Sequence, residues 1–215
     1  MRTWRVAGAQ GGRRVNADAV ASARSASGDL VFALADGIGD NEVAATAARV
    51  AASAAVSAGG GAVAAVLAAG VALRALPAGD CVLVVAVPVD DGYEVAWVGD
   101  ARAYAWNGAE VRQVTVDQTV AQYFRDRGVV VGPRLEHVVT ASARAVERAG
   151  VGVVSVPSVA SLVLASDGVS VPLAQLANIL RYAGDPAAAL VRATGSADNA
   201  TAIVVEGAGV VALAA

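Results

Sequence analysis

Four aspartates are the residues of this sequence best placed to do chemistry: Asp36 in VFALADGIGD, Asp100 in VAWVGDARAY, Asp167 in LVLASDGVS and Asp198 in SADNATAIVV. Each sits at one end of a short apolar run, and such runs read as buried strands. Each also has Gly or Asn beside it, so the backbone can turn sharply there. Carboxylates at strand ends converge on the rim of a sheet, where several together repel and raise one another's pKa unless a cation intervenes. Oxygen donors of this kind suit a hard divalent ion such as Mg2+ or Mn2+. Bound there, such an ion acidifies water and clamps a phosphoryl group for in-line attack, and a nearby Arg holds two phosphate oxygens.

The elements that must position these residues can be read from periodicity and turn chemistry. Strands are expected at Thr3–Gln10 (an edge strand), from Asp18 through Ala23, and at Leu30–Ala35, which ends at Asp36. The uncharged stretch from Val50 to Leu73 is long enough to cross a bilayer. Its alanines contribute little transfer energy, and Gly59-Gly60-Gly61 would break a helix. Two antiparallel helices, Glu42–Ala58 and Ala62–Leu76, explain it better than a membrane span. Pro77-Ala78-Gly79-Asp80 then turns into a strand Cys81–Val89. Asp91-Gly92 and Asn107-Gly108 are hairpin signals, joining Cys81–Val89 to Tyr93–Val98 and Ala103–Trp106 to Val111–Val114. A helix Asp117–Arg127 is expected, with Asp117 as its cap and Gly128 as its stop. Val129–Ser158 reads as irregular. Strand Ser161–Ala165, helices Leu173–Tyr182 and Pro186–Thr194, and strand Ala200–Val205 complete the chain. Hairpins abound and regular β–α alternation is absent, so the fold class is α+β, with antiparallel sheets covered by helices.

Composition bounds the partners. The 215 residues suit a single domain, 1–215, and 56% hydrophobic against 16% charged leaves burial in no doubt. Aromatics are only 4% and alanine is abundant, which predicts closely packed helices. A net charge of −3 without a basic block argues against nucleic acid. Cys81 is the lone cysteine, which fits a reducing compartment, and the N-terminal MRTWRVAGAQ lacks the apolar core of a signal peptide. A cytoplasmic protein without membrane attachment is expected. His137, the single histidine, reads as a surface or packing residue.

Six short motifs in order resemble those of the metal-dependent protein serine/threonine phosphatases of type 2C. They are Arg13-Arg14-Val15-Asn16-Ala17-Asp18, Asp36-Gly37-Ile38-Gly39-Asp40, Val98-Gly99-Asp100-Ala101-Arg102, Thr115-Val116-Asp117-Gln118, Ser166-Asp167-Gly168 and Asp198-Asn199-Ala200-Thr201. Each alone is weak; together they span most of the chain. The resemblance implies a sandwich of two antiparallel β-sheets flanked by paired α-helices. It implies Asp36 as a carboxylate bridging two Mn2+ or Mg2+ ions, Gly37 as a carbonyl ligand, and Asp167 and Asp198 as ligands of the second ion. It further implies Asp117 as a ligand of a third, weaker ion, Arg13 as the grip on substrate phosphate, and Asp18 as a carboxylate orienting water. Asp100 would be structural, hydrogen-bonded to Arg102.

The departures are specific. Ala17 stands where the family has Glu, Ala101 where it has Ser and Gln118 where it has His. Asp40 replaces a Gly, adding a charge near the site or capping the following helix. The activity implied is hydrolysis of phosphoserine and phosphothreonine on proteins, opposed by a serine/threonine kinase. Ala17 and the irregular segment motivate an alternative: a catalytically silent domain that binds phosphoproteins or a kinase.

Overall fold

The computed structural model describes residues 3–25, 27–157, 161–195 and 197–207. Its strands are β1 (Trp4–Ala9), β2 (Asp18–Arg24), β3 (Leu30–Gly37), β4 (Cys81–Val89), β5 (Gly92–Val98), β6 (Arg102–Trp106), β7 (Val111–Gln113), β8 (Gly152–Pro157), β9 (Ser161–Ala165) and β10 (Ala200–Glu206). Its helices are α1 (Glu42–Ser57), α2 (Ala62–Arg74), α3 (Val120–Arg125), α4 (Leu173–Tyr182) and α5 (Pro186–Thr194). One sheet runs β1-β10-β9-β6-β7 and the other β2-β3-β4-β5-β8, with every pairing antiparallel. The expected sandwich with paired helices outside is what forms.

Alternation along the strands builds the layers. In β3, Val31, Ala33 and Ala35 pack under α1 and α2, whereas Phe32 and Leu34 point between the sheets. On the second sheet, Leu162, Leu164 and Ile203 meet them from the other side. The opposite face of that sheet, with Val163 and Val204, is covered by Leu176 and Leu180 of α4 and Leu190 of α5. Every buried residue of α1 except Val56 is alanine, so the helix lies close to its sheet and to α2. The Gly59–Gly61 break falls between the two helices, and no helix among the described residues is long and apolar enough to cross a membrane.

Continuing the same period of two places the site. Asp36 follows Phe32 and Leu34 on the face between the sheets, and Asp18 precedes Val20 on the equivalent face of β2. The β2–β3 register sets Asp18 directly opposite Asp36. Ser166 follows Leu164, and Thr201 precedes Ile203, in the same way. The apolar filling between the sheets therefore ends in a polar mouth.

Two expectations need correction. The helix begins at Val120 with Thr119 as its cap, its Oγ1 accepting from the Gln122 amide at 3.2 Å, and Asp117 lies outside it. The segment expected to be irregular, Val129–Ser158, of which Ser158 lies outside the described residues, is not wholly so: Gly152–Pro157 is a strand on the edge of the β2-β3-β4-β5-β8 sheet, paired with β5. Gly152 belongs there because a Cβ would lie 2.3 Å from the indole of Trp97. Residues 142–144 are pinned by Asp80, whose carboxylate accepts from the Ser142 hydroxyl (2.6 Å) and the Arg144 amide (2.9 Å). Arg144 in turn donates to the carbonyls of Leu73 and Leu76 at the end of α2.

Candidate active site

The mouth of the sandwich is a cavity of about 420 Å³ lined by Arg13, Asp36, Gly37, Asp100, Asp167 and Asp198, with Val82, Val139 and Ile38 as its apolar wall. Asp36 and Gly37 come from the end of β3, Asp100 from the turn after β5, Asp167 from the turn after β9, and Asp198 from just before β10. Gly37 can sit there only without a side chain, since a Cβ would lie 2.5 Å from the carbonyl oxygen of Ala44 at the start of α1.

Burial and mutual repulsion dominate the electrostatics. Asp36 titrates well above the ordinary carboxylate range, through burial first and then the charges of Asp18, Asp167, Asp100 and Asp198. Asp18 is pushed up to about 6 by burial, although hydrogen bonds from Thr201 and Ser166 favour its charged form. Asp100 also reaches about 6, through burial and then the charge of Asp167. Arg13 and His137 supply the nearby positive or hydrogen-bonding groups. The Arg13 Nη2 donates to Asp198 Oδ2 at 2.5 Å, and His137 Nδ1 lies 3.4 Å from Asp167 Oδ2. Hydrogen bonding to Asp198 holds the Arg13 proton more tightly than usual.

The loop carrying Arg13 is fixed from two sides. Asn199 accepts from the Ala17 amide and donates to the carbonyls of Gln10 and Val15. Asp40 accepts from the amides of Arg14 and Val15, at 2.8 and 3.2 Å. Asp40 therefore does not cap α1; Asn41 does, accepting from Val43 and Ala44. Ala17 is buried against Ala44 and Ala45 of α1.

The donor set fits an oxygen-seeking divalent ion. All candidate ligands are carboxylates or a backbone carbonyl, the group is strained by its own charge, and Asp18 Oδ1 is buried without a hydrogen-bond partner within bonding distance among the described residues. Among the described residues no three His, Cys, Asp or Glu side chains already close on one point. The carboxylates share a cavity, and two of them lean toward Arg13 and His137.

Not every expected site residue meets this cavity. Arg13, Asp36, Gly37, Asp167 and Asp198 do, and Asp18 lies directly behind, bonded to the Ser166 hydroxyl at 2.9 Å. Asp117, expected to hold a third ion, is instead gripped by Arg102: Nε lies 3.1 Å from both carboxylate oxygens and Nη2 2.7 Å from one. Arg102 is thereby not the partner of Asp100, as expected; Asp100 turns into the cavity. Gln118 ties down the turn before β6, accepting from the Gly99 amide and donating to the Gly150 carbonyl. His137 is exposed, as expected of a surface residue, but its nearness to Asp167 was not expected. It stands in no motif, and only the fold of the segment before β8 brings it to Asp167.

No protein-family model matches the sequence, and no curated protein matches it either. Solved structures do. The serine/threonine phosphatase Stp1 from Staphylococcus aureus superposes with a TM-score of 0.83 at 19% identity, over 97% of this chain and 96% of that one. The catalytic domain of the serine/threonine phosphatase PstP, in complex with two manganese ions, gives 0.80 at 24% identity, over 95% and 97%. PppA, a regulatory component of type VI secretion in Pseudomonas aeruginosa, gives 0.74 at 20%, over 95% and 97%. Across nearly its whole length, this chain has the fold of the bacterial serine/threonine phosphatases.

Proposed function

We propose that this protein is a metal-dependent phosphoprotein phosphatase that hydrolyses phosphoserine and phosphothreonine. Mn2+ or Mg2+ would be held by Asp36, the Gly37 carbonyl, Asp167 and Asp198, and the two manganese ions of the PstP relative set the expected number at two. The observation that carries the reading is the meeting of Asp36, Asp167, Asp198 and Arg13 on one cavity, from strands far apart in sequence. When bound, such ions supply Lewis-acid charge and a water acidic enough to serve as nucleophile near neutral pH.

The chain's own groups do the rest. Arg13 is partly exposed and presents a planar fork of donors, so it can exchange Asp198 for two oxygens of an incoming phosphate. That contact orients the phosphorus for in-line displacement of the seryl or threonyl oxygen and stabilises charge on the equatorial oxygens. Asp18, opposite Asp36 on β2 and with one oxygen fixed by Ser166, would orient water at the site. Ile38, Val82 and Val139 exclude bulk water from one wall and strengthen every charge interaction within.

A phosphorylated protein is the substrate this reading implies, an opposing serine/threonine kinase its counterpart, and the cytoplasm its compartment. The silent alternative finds no support, since every direct ligand position except Asp117 reaches the cavity. Purified protein with Mn2+ and p-nitrophenyl phosphate, then a phosphothreonine peptide, tests the proposal against an Asp36→Asn control. Turnover that needs Mn2+ and disappears in the control is expected; equal rates in both proteins would overturn it.

A further inference from the structure

The Arg102–Asp117 pair belongs to neither the cavity of Arg13 and Asp36 nor the helix Asp117 was expected to cap. Arg102 opens β6 and Asp117 follows β7, and the β6–β7 hairpin fixes the distance between them. The hairpin is held further by the Thr115 hydroxyl, which accepts from the Ala103 amide, and by the Val114 amide, which donates to the Ala103 carbonyl. Both charged side chains are largely buried, with 25% and 16% of their surface exposed. Gln113 Nε2 adds a donor to Asp117 Oδ1 at 3.0 Å.

A carboxylate offers about four lone-pair directions. The Arg102 Nε contacts to both oxygens, the Arg102 Nη2 contact and the Gln113 contact fill them. An ion seeking Asp117 would have to displace a guanidinium that cannot lose its charge, leaving it largely buried without its carboxylate beside the ion. Arg102 also lines a second cavity with Glu136, His137, Asp167, Ser170 and Asp198, immediately beside the first.

We infer that Arg102 is a resident cation that takes the place of a third metal ion, so that this chain holds two divalent ions and not three. The inference rests on the metal centre argued above and specifies its stoichiometry. A fixed positive charge then stands at the edge of the cleft whatever the metal supply.

Equilibrium dialysis against Mn2+, with bound metal counted by elemental analysis, tests this on the full chain. Wild type is expected to bind two ions per chain, and Asp117→Asn also two. Arg102→Gln frees the carboxylate and is expected to bind a third ion at least ten-fold more weakly, which the double variant Arg102→Gln/Asp117→Asn loses again. Circular dichroism checks that each variant is folded. Should Arg102→Gln not fold, wild type against Asp117→Asn still decides. Three ions in wild type falling to two in Asp117→Asn would overturn this inference alone, as would a folded Arg102→Gln that stays at two. No bound Mn2+ in wild type would overturn the metal centre and this inference with it.

Discussion

Two arginine–aspartate pairs flank the same cleft, and their contrast separates grip from scaffold. Arg13 meets Asp198 through one contact between groups that keep 43% and 35% of their surface. Arg102 meets Asp117 through a fork on a hairpin, less than half as exposed at the carboxylate. A single exposed ion pair contributes little and exchanges readily. A forked, half-buried one is costly to break. The first arginine is thus free to serve a ligand, and the second is committed to the fold.

The largest effect lies between the two pairs. Asp36→Asn removes the most buried carboxylate of the proposed metal centre, and kcat/KM with Mn2+ should fall at least about 10³-fold, or about 4 kcal/mol. Next comes the scaffold: Asp117→Ala leaves Arg102 largely buried without its carboxylate partner, and should cost about 2–4 kcal/mol in urea unfolding. Arg13→Ala should do the reverse, changing stability by less than about 0.5 kcal/mol. Its kcat/KM should nevertheless drop about 10–100-fold, the worth of a charged hydrogen bond to the reacting phosphate. Comparable destabilisation by Asp117→Ala and Arg13→Ala would break the contrast.

The smallest effect is one of pH. Asp18 and Asp100 titrate near 6 in the folded protein, above the carboxylate range of the unfolded chain. Between about pH 4 and 6 the folded state therefore binds more protons, and stability falls as pH rises through that window. Metal-free protein should unfold at a higher temperature at pH 5 than at pH 7 as far as these two groups govern it. Saturating Mn2+ should cancel that preference, because ions replace the protons. Asp100→Asn should flatten the metal-free slope, measured by thermal unfolding across pH.

Much of this was legible from local signals. The helical pair needed only the triple glycine and an alanine-rich stretch, and β4, β9, α4 and α5 were bounded by Pro, Gly and apolar runs. The carboxylates of the cleft were legible as strand-end residues, because alternation carries a core-facing side to its polar end. What failed depends on partners distant in sequence. Gly152–Pro157 holds the strand-formers Val153, Val154 and Val156, but Gly152, Ser155 and Pro157 interrupt the pattern, and it pairs because β5 offers an edge and Trp97 tolerates only Gly152 beside it. Arg102 was assigned to Asp100, two residues away, whereas the hairpin delivers it to Asp117. His137 gave no signal at all, since its neighbour Asp167 lies 30 residues on and meets it only in three dimensions.

The central claim is that the acidic mouth of the sandwich is made to be neutralised by divalent ions. Its most direct test is the unfolding temperature of wild type and Asp36→Asn with and without Mn2+. Mn2+ at about 100 times its dissociation constant should stabilise wild type by about 2.7 kcal/mol per site and leave Asp36→Asn nearly unmoved. Midpoints that do not shift with Mn2+ in wild type, or that shift equally in both proteins, would contradict it.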